Sequence, residues 1–531
     1  MTSMAEVDEV ERALQAKTVR DAGARAVFLG AVRDLGKDSG EFTFERLQAL
    51  MRVEEHFQAL LLYDQIDFLR QPEAAEGDRD FALNIQRICL EAANAFQRFL
   101  RNRNAWATSR ETLDAMFRVT GLALNAIHSF VKWGYFLNEP GRNVPWKQVH
   151  ALYMLAETDG YSQVPFVLHP AQPSYKPSVQ SLYLHTLILD VLNTGNLSNL
   201  QIEIADGWFS SWCNDYSLDA EYSTRHHLFY VDLASDSGMH IMRKDSHGES
   251  MRYVRADGLK TQIDEVQAGL RHGRLYAGHG AGAVFPVEQH AALLAVIEKL
   301  YHSILAGSEN RIEERTHFED REVDVTVGIE RVLKKSREKA ALEAAAPIAP
   351  SGVAETFELS PTGLTLQTVA APRSIDTGPA DPEVERWRVL DLSSKGYGLL
   401  VDRAAAENVL LNGVLALRNH ETGGWIIGTV VRKLANRVRG EILVGIEVLS
   451  YRPVPIQLHP ADGGPGAPAL YLPGTDDNGK LDSILVRAGD FRSDQHLVIQ
   501  AGGAKYQIRL NRVIRKGSDW VKVRFEVEKK S

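Results

Sequence analysis

The feature that most constrains this chain is the density of short apolar runs in its last third. From residue 386 onward, strand-like segments recur at Arg388 to Asp391, Tyr397 to Val401, Val409 to Arg418, Trp425 to Lys433 and Ile442 to Leu449. They continue at Ala469 to Leu472, Ser483 to Arg487, His496 to Ile499, Tyr506 to Leu510 and Trp520 to Val527. The breaks between them are rich in Gly, Asn and Asp, the residues that tolerate tight-turn backbone angles. So many short strands at close spacing predict antiparallel barrels or sandwiches. Five or six strands close one small barrel, so residues 455–531 read as a further β unit. An earlier run, Arg321 to Ile329, alternates Val323, Val325, Val327 and Ile329, a strand with one apolar face.

Residues 1–200 have a different period. Leu47, Leu50, Val53, Phe57, Leu60 and Leu61 recur at helical spacing, as do Ile85, Ile88, Ala92, Phe96 and Phe99. Thr108 with Glu111 forms a capping-box pattern that opens a helix through Leu113, Phe117 and Ile127. Two more helices are expected at 146–157 and 178–192, closed by Gly160 and Gly195. Residues 201–307 read as mixed α/β. Leu200 to Ile204, His227 to Leu233 and Met239 to Met242 lean towards strand, and a helix runs from Val287 to Leu305 behind Pro286 and ahead of Gly307. Residues 331–346 are charged and Ala-rich, predicting a helix. Residues 347–384 hold six prolines among small residues, which predicts a mobile insertion spanning about 331–385.

Bulk properties exclude several classes. At 531 residues, 44% hydrophobic and 24% charged, the chain is expected to be a globular protein of more than one domain. A formal net charge of −9 gives no footprint for general nucleic-acid binding. Two cysteines cannot build a disulfide framework, an acidic start lacks the apolar core of a secretory signal, and no stretch approaches a membrane span. A cytoplasmic location is the expectation.

Three segments carry a functional signal. Arg311-Ile312-Glu313-Glu314-Arg315 is an R-x-x-x-R pattern just before the strand at 321–329. Asp391-Leu392-Ser393-Ser394-Lys395-Gly396 is a D-x-S-x-x-G pattern between two strands. Trp425 to Leu449 supplies a strand pair. Together, in this order, they resemble the PilZ family of cyclic di-GMP receptors, over roughly 311–330 and 386–450. The resemblance implies that Arg311 and Arg315 clamp cyclic di-GMP while Asp391, Ser393 and Gly396 shape its guanine pocket.

The residue types suit that ligand. An arginine fork donates two hydrogen bonds to guanine O6 and N7 or to a phosphate, and stacks on bases. A carboxylate accepts from the guanine Watson–Crick edge, and a serine hydroxyl can donate to phosphate. Glycine allows close backbone approach. The same residues have a plainer reading. The arginines, flanked by Glu309, Glu313 and Glu314, would be solvated linker residues, and Asp391 and Ser393 would make ordinary turn hydrogen bonds. A second echo, Tyr230 to Gly238, resembles Val389 to Gly396 and is a candidate degenerate unit of the same kind.

Other signals carry less. Gly278-His279-Gly280-Ala281-Gly282 does not open directly into a helix and reads as a loop. His226, His227, His240, His247, His272 and His279 lack metal-ligand spacing, so no metal site and no cofactor is expected. Trp208, Trp212 and Cys213 read as core. Residues 481–531 hold 11 Lys/Arg against 6 Asp/Glu, a solvated face or a docking surface for an acidic partner.

The fold expected is α+β multidomain. A helical bundle or hairpin array occupies 1–200, a mixed region 201–307, a PilZ-like antiparallel β-barrel 308–454 and a C-terminal β unit 455–531. The expected function is a cytoplasmic, non-enzymatic cyclic di-GMP sensor that acts through an unidentified protein partner on the helical half. The resemblance implies control of bacterial motility, adhesion or exopolysaccharide output. The alternative is a PilZ-like scaffold that mediates protein contacts without binding nucleotide.

Overall fold

The computed structural model describes residues 4–38, 41–70, 76–139, 144–192, 195–223, 226–242, 248–276, 285–305, 316–345, 357–360, 363–366, 381–393, 395–418, 424–436, 440–460, 463–474, 482–501 and 504–530. They form two compact units, Met1–Arg311 and Ile312–Ser531.

The first unit is built from α1 (Met4–Gln15), α2 (Ala22–Leu35), α3 (Phe44–Arg70), α4 (Glu76–Arg101), α5 (Arg103–Trp106), α6 (Arg110–Phe136), α7 (Trp146–Thr158), α8 (Val179–Leu192) and α9 (Asn199–Trp212). A small sheet follows: β1 (Ser217–Asp219), β2 (His227–Asp232), β3 (His240–Ile241) and β4 (Met251–Arg255), in the order β1-β4-β2-β3. Two helices close the unit, α10 (Leu259–Arg271) and α11 (Val287–Leu305). The apolar stripes expected on α3 and α4 are the buried ones: Leu47, Leu50, Val53, Phe57 and Leu61, then Ile85, Ile88, Ala92, Phe96 and Phe99. One hydrophobic core runs from Val10 to Ile297, so the sheet and the last helices share it with the helical array. Trp208, Trp212 and Cys213 lie in that core. Of the clustered histidines, His227 bonds Asp219 and His226 bonds Asp257, while His247 and His279 lie outside the described residues, as does the 278–282 glycine run.

Two local expectations are corrected. The box that opens α6 is Ser109 with Thr112, one residue beyond Thr108 and Glu111: the Ser109 amide donates to Thr112 Oγ1 at 2.9 Å and the Thr112 amide to Ser109 Oγ at 3.3 Å. Leu200 to Ile204 is helix, not strand. A second box starts α9, with the Ser198 amide donating to Gln201 Oε1 at 2.9 Å. From Gln201 to Ser210 every residue of α9 is buried, so the one-sided apolar stripe that identifies a helix is missing, and Ile202 and Ile204 mislead.

Some polar groups are buried with the helices. Glu54 on α3 is 2% exposed, and neither carboxyl oxygen has a hydrogen-bond partner of good geometry among the described residues, Gln58 offering only a poorly aligned one. Burial pushes its carboxyl up to about 8, with Gln58 opposing. His169, 3.9 Å away, is held down to about 4 by burial and by Arg118, so it offers no compensating charge. A raised folded-state value means that the stability this group contributes is full below about 4.5 and is lost as pH rises to about 8. The slope is about 1.4 kcal/mol per pH unit. Glu54→Gln removes it and is expected to stabilise the unit by about 2 kcal/mol at neutral to mildly alkaline pH, the buried amide offsetting part of the gain. Thermal melts of both proteins across pH check this: the difference must shrink towards pH 5, and a variant that melts below wild type at high pH rules out a strained Glu54.

A second buried group lies among α6, α8 and α9. His128, Lys132, His185, Glu203 and Asp206 are each less than one-tenth exposed. Lys132 Nζ donates to Asp206 Oδ2 at 2.7 Å and to Glu203 Oε2 at 3.0 Å. Burial opposes charge on both partners, but Lys132 and the facing imidazoles hold Asp206 well below the usual carboxylate range. Burial, then the neighbouring His185, brings the His128 imidazole down to about 4.

The second unit is β, with two helices among the described residues. Its first closed barrel is made of β5 (Thr316–Val327), β8 (Glu385–Ser393), β9 (Gly396–Asp402), β10 (Val414–Arg418), β11 (Trp425–Asn436) and β12 (Glu441–Ser450). Helix α12 (Ile329–Ala345) and a hairpin of β6 (Phe357–Ser360) and β7 (Gly363–Leu366) come between β5 and β8, and the short α13 (Arg403–Ala406) follows β9. All barrel pairings are antiparallel, in the order β10-β11-β12-β9-β8-β5. Alternate residues fill the interior: Val323 and Val325, Trp387 and Val389, Leu399 and Val401, Ile442, Val444, Ile446 and Val448. The segment before β8 is tied down at 381–384, where Asp381 and Glu383 accept from Lys335 and Lys334 on α12.

The second closed barrel comprises β13 (Val454–Pro460), β14 (Ala467–Leu472), β15 (Ser483–Arg487), β16 (His496–Ala501), β17 (Ala504–Lys516) and β18 (Trp520–Lys530), in the order β13-β14-β15-β18-β17-β16. Its first strand went unread in the sequence because Pro455 and Pro460 mark it as a non-strand. The barrels share a core in which Ile329, Val332 and Leu333 of α12 pack with Trp425, Ile427, Leu470, Leu472, Leu485 and Trp520. That explains why 425–430 is buried on both faces: Ile426 and Val430 point into the first barrel, while Trp425 and Ile427 meet the second. Trp520 Nε1 donates to the Asn412 carbonyl at 2.8 Å across the joint. No helix among the described residues is long and apolar enough to cross a membrane.

Candidate functional site

The D-x-S-x-x-G segment is the β8–β9 hairpin. Ser393 opposes Gly396, Leu392 opposes Tyr397 and Asp391 opposes Gly398, so two residues, 394 and 395, make the turn. Residue 394 lies outside the described set. The Lys395 amide donates to Ser393 Oγ at 3.4 Å and the Val448 amide to the Lys395 carbonyl at 2.9 Å, which ties the hairpin tip to β12. The serine therefore makes the turn contact foreseen for it while staying half-buried at the tip.

Asp391 continues the inward row of Trp387 and Val389. It is 8% exposed, a carboxylate at the end of an otherwise apolar interior file. Gly398 makes room for it: a Cβ there would lie 2.8 to 2.9 Å from all three atoms of the Asp391 carboxyl group. Gly396 serves a different purpose. A Cβ on it would stand 2.0 Å from the Ile446 carbonyl oxygen, so the β9–β12 approach requires glycine. Sequence reading found Gly396 by the motif and missed Gly398; the signal available was the Gly-Tyr-Gly run itself, one residue type repeated on one face of a strand.

Arg311 and Arg315 lie outside the described residues. The strand that starts one residue after Arg315 is described, and its register is informative. Thr316 opposes Leu392 and His317 opposes Asp391. The strand that follows the R-x-x-x-R segment in sequence is thus paired beside the aspartate, although 76 positions separate Arg315 from Asp391 along the chain. Both ladders flanking the aspartate are irregular: the β5–β8 register shifts between His317 and Arg321, and the β8–β9 register between Val389 and Asp391. Bulges of this kind re-aim side chains and concentrate near functional sites. Thr316, His317, Arg321 and Lys395 are exposed around the hairpin, and the Arg321 guanidinium stacks over the Phe318 ring at 4.9 Å. From the second barrel, Arg515 reaches Glu447, the strand partner of Gly396, at 2.8 Å.

A cavity of about 550 Å³ beside α12 is lined by Arg331, Lys334, Arg337 and Arg487 with Glu330, Glu338 and Glu383. Two of its four cations are paired, Arg487 with Glu330 at 2.8 Å and Lys334 with Glu383 at 2.8 Å.

The geometry defines a helical unit followed by a pair of fused six-stranded antiparallel barrels, one of which carries a buried carboxylate at its hairpin mouth. Residues 14–221 match a family model described as the N-terminal domain of the cyclic-di-GMP receptor FimW. That match spans α2 to α9 and the first strand of the small sheet, less than half of the chain, and does not reach either barrel. No curated protein and no solved structure matches the chain.

Proposed function

We propose that the chain is a cyclic di-GMP receptor whose ligand site lies at the mouth of a PilZ-like first barrel. Two independent lines support this reading: the family match of the helical unit to a receptor's N-terminal domain, and the residue pattern in the barrel. The observation that carries it is the pairing of Thr316 and His317 with Leu392 and Asp391, which delivers the chain directly after Arg315 to the aspartate. Arg311 and Arg315 clamp the dianion, Asp391 accepts from a guanine edge, and Ser393 and Gly396 shape the pocket. The protein works by binding rather than by catalysis. The helical unit passes the bound state to a protein partner in the cytoplasm, and the output is surface behaviour such as motility, adhesion or exopolysaccharide production.

Calorimetric titration of the full chain tests the reading. Cyclic di-GMP is expected to bind with micromolar or better affinity, about −8 kcal/mol or stronger, and ahead of GTP and cyclic di-AMP. Asp391→Ala should weaken it by about 1–3 kcal/mol, the scale of a base-edge contact. The acidic neighbours Glu309, Glu313 and Glu314 favour a second reading, a scaffold that binds protein only. Absence of heat at about 100 µM ligand, where a micromolar site is saturated, would select it.

A further inference from the structure

We propose that His128, His185 and Asp206, on α6, α8 and α9, form a structural site for a divalent transition-metal ion, zinc foremost. Their ligand atoms lie within 4.8 Å of one another. His128 Nε2 is 2.6 Å from Asp206 Oδ1 and His185 Nε2 is 2.9 Å from the same oxygen. Both imidazoles are more than nine-tenths buried, and His185 Nε2 has no hydrogen-bond partner of acceptable geometry among the described residues.

The protons explain why a cation fits there. Thr186 Oγ1 donates to the Leu182 carbonyl at 3.1 Å, one helical turn back. With that hydrogen so placed, the hydroxyl is an acceptor for His128 Nδ1, 3.2 Å away. A neutral His128 that carries its hydrogen on Nδ1 turns the Nε2 lone pair straight at a carboxylate oxygen. Lone pair facing lone pair at that separation is repulsive, and either a proton on Nε2 or a cation bound by the group relieves it. An ion bound by Nε2 of both imidazoles and by Oδ1 satisfies all three lone pairs.

The surroundings suit a metal ligand set. Thr186 on His128 Nδ1 fixes ring and tautomer, and Lys132 on Oδ2 leaves Oδ1 as the coordinating oxygen; such outer contacts orient ligands in metal sites generally. Two imidazoles and a carboxylate suit zinc, with cobalt and nickel as substitutes, rather than calcium or magnesium. Because the donors come from three helices, an ion there would pin α6, α8 and α9 together.

The test uses the full-length protein purified without chelator or an affinity metal column. Elemental analysis should find close to one zinc per chain. Metal-stripped protein titrated with Co2+ should develop the visible d–d absorption of a low-coordinate site, and Zn2+ should raise its melting temperature and displace that absorption. His185→Gln, which keeps the size of the side chain, should lose the Co2+ absorption. Substoichiometric metal with no Co2+ absorption and no Zn2+-dependent shift in wild type overturns the proposal, leaving a hydrogen-bonded charge network; so does an equal spectrum in His185→Gln. The wild-type titrations decide the matter even if a variant fails to fold.

Discussion

Replacing Arg311 and Arg315 together by alanine is expected to reduce cyclic di-GMP affinity by about 4 kcal/mol, roughly a thousandfold, with folding unchanged. Each guanidinium in the proposed clamp makes charge-assisted, often paired hydrogen bonds to phosphate or guanine, and losing one costs about 2 kcal/mol. Both precede the first described strand of the barrel, which begins at Thr316. The two act on one ligand, and their effects need not add. Single variants measured by calorimetry beside the double variant separate a true pair from one dominant arginine. Wild-type affinity in both single variants would place the ligand elsewhere.

Adding one methyl group to the hairpin should have opposite consequences two residues apart. Gly396→Ala places Cβ 2.0 Å from a backbone oxygen of β12, and backbone cannot swing away as a side chain can. The Gly396–Glu447 end of the β9–β12 ladder must open by more than an ångström, in a closed barrel with no free edge to absorb it. A loss of about 4 kcal/mol or more is expected, the scale of the severest single substitutions. The three atoms nearest the Cβ of Gly398→Ala all belong to the Asp391 carboxyl group, a side chain that can rotate aside. It should leave the melting temperature within a few degrees of wild type while weakening cyclic di-GMP binding as Asp391→Ala does. Melting curves and titrations on the two variants read this directly. If Gly396→Ala melts like wild type, the β9–β12 approach is looser than described; if Gly398→Ala binds normally, Asp391 is not a ligand contact.

How much of this was legible in the sequence follows from burial. Strands with one dry face, such as Val323 to Val327 or Ile442 to Val448, announce themselves by alternation. Helix α11 was read to the residue because it has a one-sided stripe with Pro286 ahead of it. Helix α9 is wet on neither side and lost its period. Strand β13 carries prolines and lost its propensity signal. At the candidate site, the types and order of Asp391, Ser393 and Gly396 were readable, because turn chemistry is local. The pairing of Thr316 with Leu392 was not, since a strand register formed across some 75 residues leaves no local trace. Gly398 acquires meaning only once Asp391 is known to lie over it. The His128–His185–Asp206 group is invisible for the same reason: its members come from three helices and share no motif spacing, whereas His226, His227 and His240 of the cluster at 226–279 bond individually to nearby side chains.

The position of the ligand is the central claim, because the family match lies in the helical unit and the residue pattern in the barrel. Hydrogen–deuterium exchange of the full chain with and without saturating cyclic di-GMP locates it in one measurement. Slowed exchange confined to 308–320 and to the 391–398 hairpin is the predicted result. Unchanged exchange there, with protection confined to residues 14–221 or seen nowhere, would contradict a barrel-mouth receptor site.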